Sequence, residues 1–148
     1  MKVSEVMTRS VRTVAPNQSI QDAGNLMEEL DIGVLPVADD DRLVGMITDR
    51  DIAVRAVAKG RGPETTIREA MTKDVKYCFD DQSIDEVTQN MADIRVRRLP
   101  VVDRGKRLVG ILSLGDIATN SKSQDEAGEA LQGISRPGGE HSQSANKH

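Results

Sequence analysis

The sequence predicts an α+β fold made of two copies of one β-α-β-β-α unit. Three observations predict it. The chain repeats itself at a fixed spacing, each copy holds a segment of helical apolar periodicity, and each then holds two short apolar runs parted by a charged link. Glu5-Val6-Met7-Thr8 returns as Glu69-Ala70-Met71-Thr72, Gln18-Ser19-Ile20 as Gln82-Ser83-Ile84, and Leu35-Pro36-Val37 as Leu99-Pro100-Val101, each 64 positions on. After one extra residue the match resumes at 65, with Arg42-Leu43-Val44-Gly45 against Arg107-Leu108-Val109-Gly110 and Asp51-Ile52-Ala53 against Asp116-Ile117-Ala118. With only two copies, this is a fused pair and not a solenoid.

The elements follow in order. Ser19 and Ser83 open S-x-x-D/E boxes, whose hydroxyl can satisfy a free helix N–H. Ile20, Ala23, Met27 and Leu30 then recur at steps of three, four and three, as do Ile84, Val87, Met91 and Ile94, so both stretches read as amphipathic helices. Val34–Ala38 and Leu99–Val102 read as short strands, joined by acidic or basic links to the strands Leu43–Ile47 and Leu108–Leu112. Pro36 and Pro100 donate no ladder hydrogen bond and belong at strand starts, edges or bulges. A second helix follows each strand pair, Asp49–Ala58 closed by Gly60 and a shorter one from about Leu114. The predicted division is 2–62 and 63–120. Copies of about 60 residues are marginal alone, so the halves are expected to pack on each other. Residues 121–148, rich in Gly, Ser, Gln and Glu, bury too little apolar surface to offset their ordering entropy and read as a flexible polar tail, with His141 and His148 solvated.

Composition removes several function classes. No apolar run approaches the roughly 20 residues needed to span a bilayer, and MKVSEVMTRS turns polar too soon for a signal peptide. A soluble, cytoplasmic chain without membrane contact is expected. One cysteine, Cys78, supports neither a disulfide nor a multi-cysteine metal site, and no core histidine could activate it. Tyr77 and Phe79 are the only aromatics, too few for a base-stacking platform, and the net charge of −4 disfavours duplex nucleic acid. An arginine strip over 95–107 leaves nucleic acid a minor partner only. Asp39-Asp40-Asp41, with Asp49 and Asp51, reads as a solvated acidic turn and not as a dedicated metal site, though magnesium could arrive with a nucleotide. No G-x-x-x-x-G-K-[ST] loop, nucleophile–base pair or metal-ligand set is present, so no catalytic residue is assigned and no enzyme is expected.

The junctions VGMITDRDI (Val44–Ile52) and VGILSLGDI (Val109–Ile117) carry the chemistry. In each, a hydroxyl residue precedes an aspartate by three: Thr48 and Asp51, Ser113 and Asp116. T/S-x-x-D at a helix start is a capping arrangement, stabilising by about 1 kcal/mol. The same geometry offers free N–H groups and a hydroxyl to phosphate, and a carboxylate to a ribose diol. The preceding glycine would let a ligand approach the backbone closely. The two readings are compatible. Arg97 and Arg98, which stand where the first copy has Gly33 and Val34, are poor core residues and good phosphate partners.

With its paired G-h-h-x-T/S-x-x-D-I junctions, its h-x-x-L-P-V-x-D strands and its duplication, the chain resembles a tandem cystathionine-β-synthase (CBS) domain pair over about residues 2–120. The resemblance implies two repeats packed with pseudo-twofold symmetry and a disc-shaped homodimer. Clefts between repeats would bind AMP, ADP, ATP, NAD or S-adenosylmethionine. It implies that Thr48 and Ser113 contact phosphate, that Asp51 and Asp116 contact ribose, and that Arg97 and Arg98 reach phosphate. Phe79, Ile84 and Val96 would face the first turn, and Ala15, Ile20, Ile32 and Gly33 the second. No cofactor is implied beyond such a ligand, and the regulated output would belong to an unknown effector protein. The competing expectation is a structural or adaptor dimer with empty clefts.

Overall fold

Both expected long helices begin at their serines in the computed structural model, which describes residues 1–120; the tail expected over 121–148, with His141 and His148, lies outside the described residues. Helix α1 (Ile20–Leu30) is capped by Ser19, whose Oγ accepts the Asp22 N–H at 3.1 Å while the Asp22 carboxylate accepts the Ser19 N–H at 3.3 Å. Its counterpart, labelled α4 in chain order (Ile84–Ile94), is capped by Ser83 Oγ on the Glu86 N–H at 3.2 Å. Both bury the first three residues of the expected apolar stripe, Ile20, Ala23 and Met27 in one and Ile84, Val87 and Met91 in the other, while the fourth is exposed at Leu30 and half-buried at Ile94, where each helix ends. Both end on a left-handed residue that is not glycine, Asp31 (φ 53°) and Arg95 (φ 58°).

The strand pairs also match. Strands β1 (Val34–Asp39) and β2 (Arg42–Thr48) are antiparallel, as are β4 (Arg98–Val102) and β5 (Leu108–Ser113). The first hairpin turns on Asp40 and Asp41, both at positive φ, in the two-residue form that suits strand twist. The second turns on one residue more, which is where the repeat spacing changes from 64 to 65. There Asp103 Oδ1 accepts the N–H groups of Gly105 and Arg107 at 2.9 and 3.0 Å. The prolines sit inside their strands, one residue before a bulge. Pro36 faces Met46 and Pro100 faces Ile111, and those partners give their N–H and C=O groups to Thr72 and Thr8. No ladder donor is therefore missed. The opening strand of the second copy is β3 (Cys78–Phe79), parallel to β4; in the first copy it shrinks to a single parallel bridge, Val14 to Val37.

The second helices differ in winding. After β2, α2 (Asp49–Asp51) runs on as a π-helical turn over Ile52–Ala56 and a 3-10 turn over Val57–Lys59, stopping at Gly60 (φ 73°). After β5, α5 (Leu114–Ala118) is brief. Helix α3 (Ile67–Ala70) opens the second copy, where the first has a 3-10 turn over Val3–Glu5.

Two compact units result. One is residues 12–75; the other joins residues 1–11 to residues 76–120. Ile67, Ala70 and Met71 share a core with Leu35, Val37 and Ile47, whereas Val3 and Met7 share one with Leu99, Leu112 and Ile117. Each Glu-x-Met-Thr segment thus packs into the unit whose glycine-bearing strand it pairs with, Thr72 against Met46 and Thr8 against Ile111.

Candidate functional site

The two hydroxyl–aspartate turns form the capping arrangement in full. Thr48 Oγ1 accepts the Asp51 N–H at 3.0 Å, and Asp51 Oδ2 accepts the Thr48 N–H at 3.0 Å. Ser113 Oγ and Asp116 Oδ2 repeat this at 3.0 and 3.2 Å. Oδ2 of each carboxylate is thus committed to its own turn; Oδ1 of Asp51 accepts no hydrogen bond among the described residues, whereas Oδ1 of Asp116 has a long one. Both aspartates are half-buried, and their hydroxyl partners Thr48 and Ser113 are the last residues of β2 and β5, paired with Val34 and Arg98.

The glycines before these turns correct one expectation. Their missing side chains make room for protein and not for ligand. A Cβ at Gly45 would lie 2.7 Å from Met71 Sδ and 2.8 Å from the Thr72 carbonyl oxygen; at Gly110 it would lie 2.7 Å from Met7 Sδ and 2.8 Å from the Thr8 carbonyl oxygen. The space is filled by the returning Met-Thr segments.

Those segments also reach the aspartates. In the 1–11/76–120 unit, the Thr8 hydroxyl donates to Asp116, 3.4 Å from each carboxylate oxygen. In the 12–75 unit, the link is Arg55: Nη1 donates to the Met71 carbonyl at 3.0 Å and Nε lies 3.8 Å from Asp51 Oδ1. Neither Thr8 nor Arg55 was expected at the site. The signals present were the repeated Glu-x-Met-Thr, read only as a repeat, and the four-residue step from Asp51 to Arg55.

The expected residues fall as follows. Arg97 gives its carbonyl to the Leu114 N–H at 2.9 Å, and Arg98 is the register partner of Ser113, so both arginines flank the Ser113 turn of their own unit. Both side chains are exposed, and among the described residues neither guanidinium has an ion-pair or hydrogen-bond partner. Gly33 holds the matching place beside Thr48, accepting the Asp49 N–H at 2.9 Å. Ile20 and Ile84 belong to the two cores, with Ile32 and Val96 packed against them. Ala15 gives its N–H to Gln18 Oε1 at 2.7 Å. Phe79 lies under the Arg104 guanidinium, 4.1 Å from its ring centre, and meets Tyr77 edge-on at 5.6 Å. Cys78 is buried beside Asp80, and burial first, then that negative charge, pushes its thiol up to about 12. It stays a protonated core thiol at neutral pH. Among the described residues no three His, Cys, Asp or Glu side chains gather as metal ligands, and no helix is long and apolar enough to cross a membrane.

A family model described as the CBS domain matches residues 3–57 and again 67–123. The chain belongs to the CBS-domain family. The α+β elements above are those of a tandem CBS pair. Over 133 residues the chain is 44% identical to the CBS domain-containing protein YhcV of Bacillus subtilis, covering 90% of this chain and 94% of that one. Among solved structures, it is similar to hypoxic response protein I, determined with two coordinated zinc ions, at 38% identity and a TM-score of 0.72 over 80% of this chain and 98% of the other. It is also similar to the CBS domain pair of protein MJ0100, determined in complex with 5′-methylthioadenosine and S-adenosyl-L-methionine, at 33% identity and a TM-score of 0.67 over 80% and 94%.

Proposed function

We propose that the chain is a non-catalytic regulatory module that binds an adenosine-containing ligand at the Thr48/Asp51 and Ser113/Asp116 turns. One observation carries the reading: a CBS pair of the same fold, at 33% identity, was solved with two adenosine compounds. The Oδ1 atoms of Asp51, free of hydrogen bonds among the described residues, and of Asp116, held only by the long Thr8 contact, suit a ribose diol, and the hydroxyls of Thr48 and Ser113 suit phosphate. Arg97 and Arg98, exposed and unpaired among the described residues, favour an anionic ligand at the Ser113 turn. Ala15, Ile20, Ile32, Gly33, Phe79, Ile84 and Val96 are the apolar positions the reading assigns to the adenine. Ligand would act by population shift, favouring one arrangement of a homodimer and changing its affinity for an effector protein.

A second reading has its own support. The capping boxes are complete without a ligand, which suits an adaptor dimer that uses the turns for stability alone.

Calorimetric titration with AMP, ATP, NAD and S-adenosylmethionine, with and without magnesium, separates the two. The regulatory reading expects one of them to bind, and Asp51→Ala or Asp116→Ala to remove the heat of its own site. Ligand at 100 times its dissociation constant should add about 2.7 kcal/mol of stability. Binding untouched by either substitution, or no heat at all from folded protein, would leave the adaptor reading standing.

A further inference from the structure

Asp51 and Asp116 occupy equivalent positions, yet among the described residues a cation forms an ion pair with Asp51 and none with Asp116. We propose that Arg55 is the positioning residue of the Thr48/Asp51 site, holding Asp51 Oδ1 in place to accept a ribose hydroxyl. The inference rests on the regulatory reading above and adds a residue to it.

The geometry has three links. The Met71 carbonyl, on a segment anchored by a buried side chain and by the Met46–Thr72 bridge, takes Arg55 Nη1 at 3.0 Å. That bond fixes the guanidinium and brings Nε to 3.8 Å from Asp51 Oδ1. The Asp51 side chain is only 14% exposed, so solvent screens this attraction less than it would a surface pair. At 3.8 Å, Nε is too far for a hydrogen bond. It biases the orientation of the carboxylate while leaving the Oδ1 lone pairs to a ligand, since Oδ2 is already committed to the Thr48 N–H.

The backbone is wound to allow this. Arg55 lies in the π-helical turn Ile52–Ala56, where one extra residue per turn changes the side chain's direction; α5 after Ser113 has no such turn. The residue 65 positions on from Arg55 is Asn120, which carries no charge. At Asp116 the neighbouring donor is the neutral Thr8 hydroxyl instead.

The test uses adenosine, the part common to every ligand considered, and 2′-deoxyadenosine, which lacks one hydroxyl of the diol. Amide NMR shifts of the full chain report the Thr48–Asp51 and Ser113–Asp116 turns separately. Losing one hydrogen bond to the diol should weaken binding about tenfold, so the unaltered protein should prefer adenosine by about that ratio. Arg55→Ala should cut the ratio at the Thr48 turn to about two and leave the Ser113 turn unchanged. Arg55→Lys, which keeps the charge but not the planar guanidinium that spans from the Met71 carbonyl to Asp51, should fall between them. A merely structural role would weaken both nucleosides alike, and an unchanged ratio in Arg55→Ala and Arg55→Lys would overturn the proposal. Asp51→Ala separates the levels. If it abolishes the ratio while the Arg55 variants keep it, only the role of Arg55 falls. If it keeps the ratio, or if neither nucleoside shifts either turn, the ribose reading falls and takes Arg55 with it. Should Arg55→Ala not fold, Arg55→Lys decides alone.

Discussion

The 12–75 unit and the unit built on 1–11 and 76–120 agree in their long helices, their strand pairs and the segments that pack on their glycines, and differ in the winding of the second helix, the length of the hairpin turn and several exposed side chains. The bulge after Pro36 recurs after Pro100, the serine caps recur, and each glycine strand receives a methionine and a threonine carbonyl at nearly the same distances. The differences gather at the edges. Arg97 stands where the first copy has Gly33, Arg55 is replaced by Thr8 as the neighbour of the aspartate, and the Tyr77–Phe79–Arg104 cluster stands where the first copy has Thr13, Ala15 and Asp40. Duplicated chains keep what packing dictates, because a core change costs several kcal/mol, and diverge where a substitution is nearly free. The retained parts position two turns, and the diverged parts make those turns chemically unequal.

The largest effect expected from the shared design comes from the returning methionines. Met71 is 4% and Met7 8% exposed, and each fills the hollow over a glycine. Truncating a buried Met to Ala removes about 2–5 kcal/mol. Met7→Ala and Met71→Ala should therefore cost similar amounts in thermal unfolding followed by circular dichroism. Met7→Ala should lower hydrogen-exchange protection most in β5, and Met71→Ala most in β2. Protection lost in the strand adjacent in sequence, and not in the strand bridged, would break the pairing of segment to unit.

Next in size are the glycines themselves. Gly45→Ala and Gly110→Ala would each press a methyl against a flexible thioether and against a backbone carbonyl 2.8 Å away. The thioether can move; the carbonyl is held in a bridge and moves only with its segment. Overpacking of this kind costs about 1–3 kcal/mol. Adding Met7→Ala to Gly110→Ala should relieve part of that cost but not all, because the Thr8 carbonyl remains. Complete relief in the double variant, read from denaturant midpoints, would show that only the side chain constrains the glycine.

These two effects also mark how far the sequence was legible. The long helices could be read because Ser19 and Ser83 announce their starts and the apolar steps of three and four announce their buried faces. The hairpins could be read because charged links interrupt two apolar runs at matching places. Nothing local says which copy a Glu-x-Met-Thr segment will pack with, since the repeat shows equivalence and partner choice is decided by contacts distant in sequence. The π-helical turn was illegible for a related reason: Ile52-Ala53-Val54-Arg55-Ala56 satisfies an ordinary helical pattern. At the site, Thr48, Asp51, Ser113 and Asp116 stood out because capping and ligand binding ask for the same residue types. That coincidence is also why the sequence could not choose between the two uses.

The smallest expected effect belongs to a feature only one unit has. Arg104 forms a forked pair with Asp81, Nε to Oδ2 at 2.8 Å and Nη2 to Oδ1 at 2.7 Å, while its guanidinium covers Phe79. The first copy has Asn17 and Asp40 at the corresponding positions and cannot make the pair. Chiefly through this side-chain hydrogen bond, Arg104 holds the Asp81 carboxyl below its ordinary range. A carboxyl whose folded value is depressed contributes stability that is present above its unfolded value, about 3.9, and is lost as the pH falls through the lower folded value. Both groups are exposed, so the contribution is small and screened by salt. Arg104→Gln should therefore lower the melting temperature slightly at pH 6. The gap from the unaltered protein should begin to narrow as the pH drops below about 4, where Asp81 takes up its proton in the unfolded chain, and close as the pH falls through the lower folded value. Hydrogen exchange should place the loss around β3 and the β4–β5 turn, with the 12–75 unit unmoved. A gap of constant size down to pH 2 would mean that the guanidinium acts through its cover of Phe79 and not through its carboxylate partner, and the difference between the units would then be one of packing and not of charge.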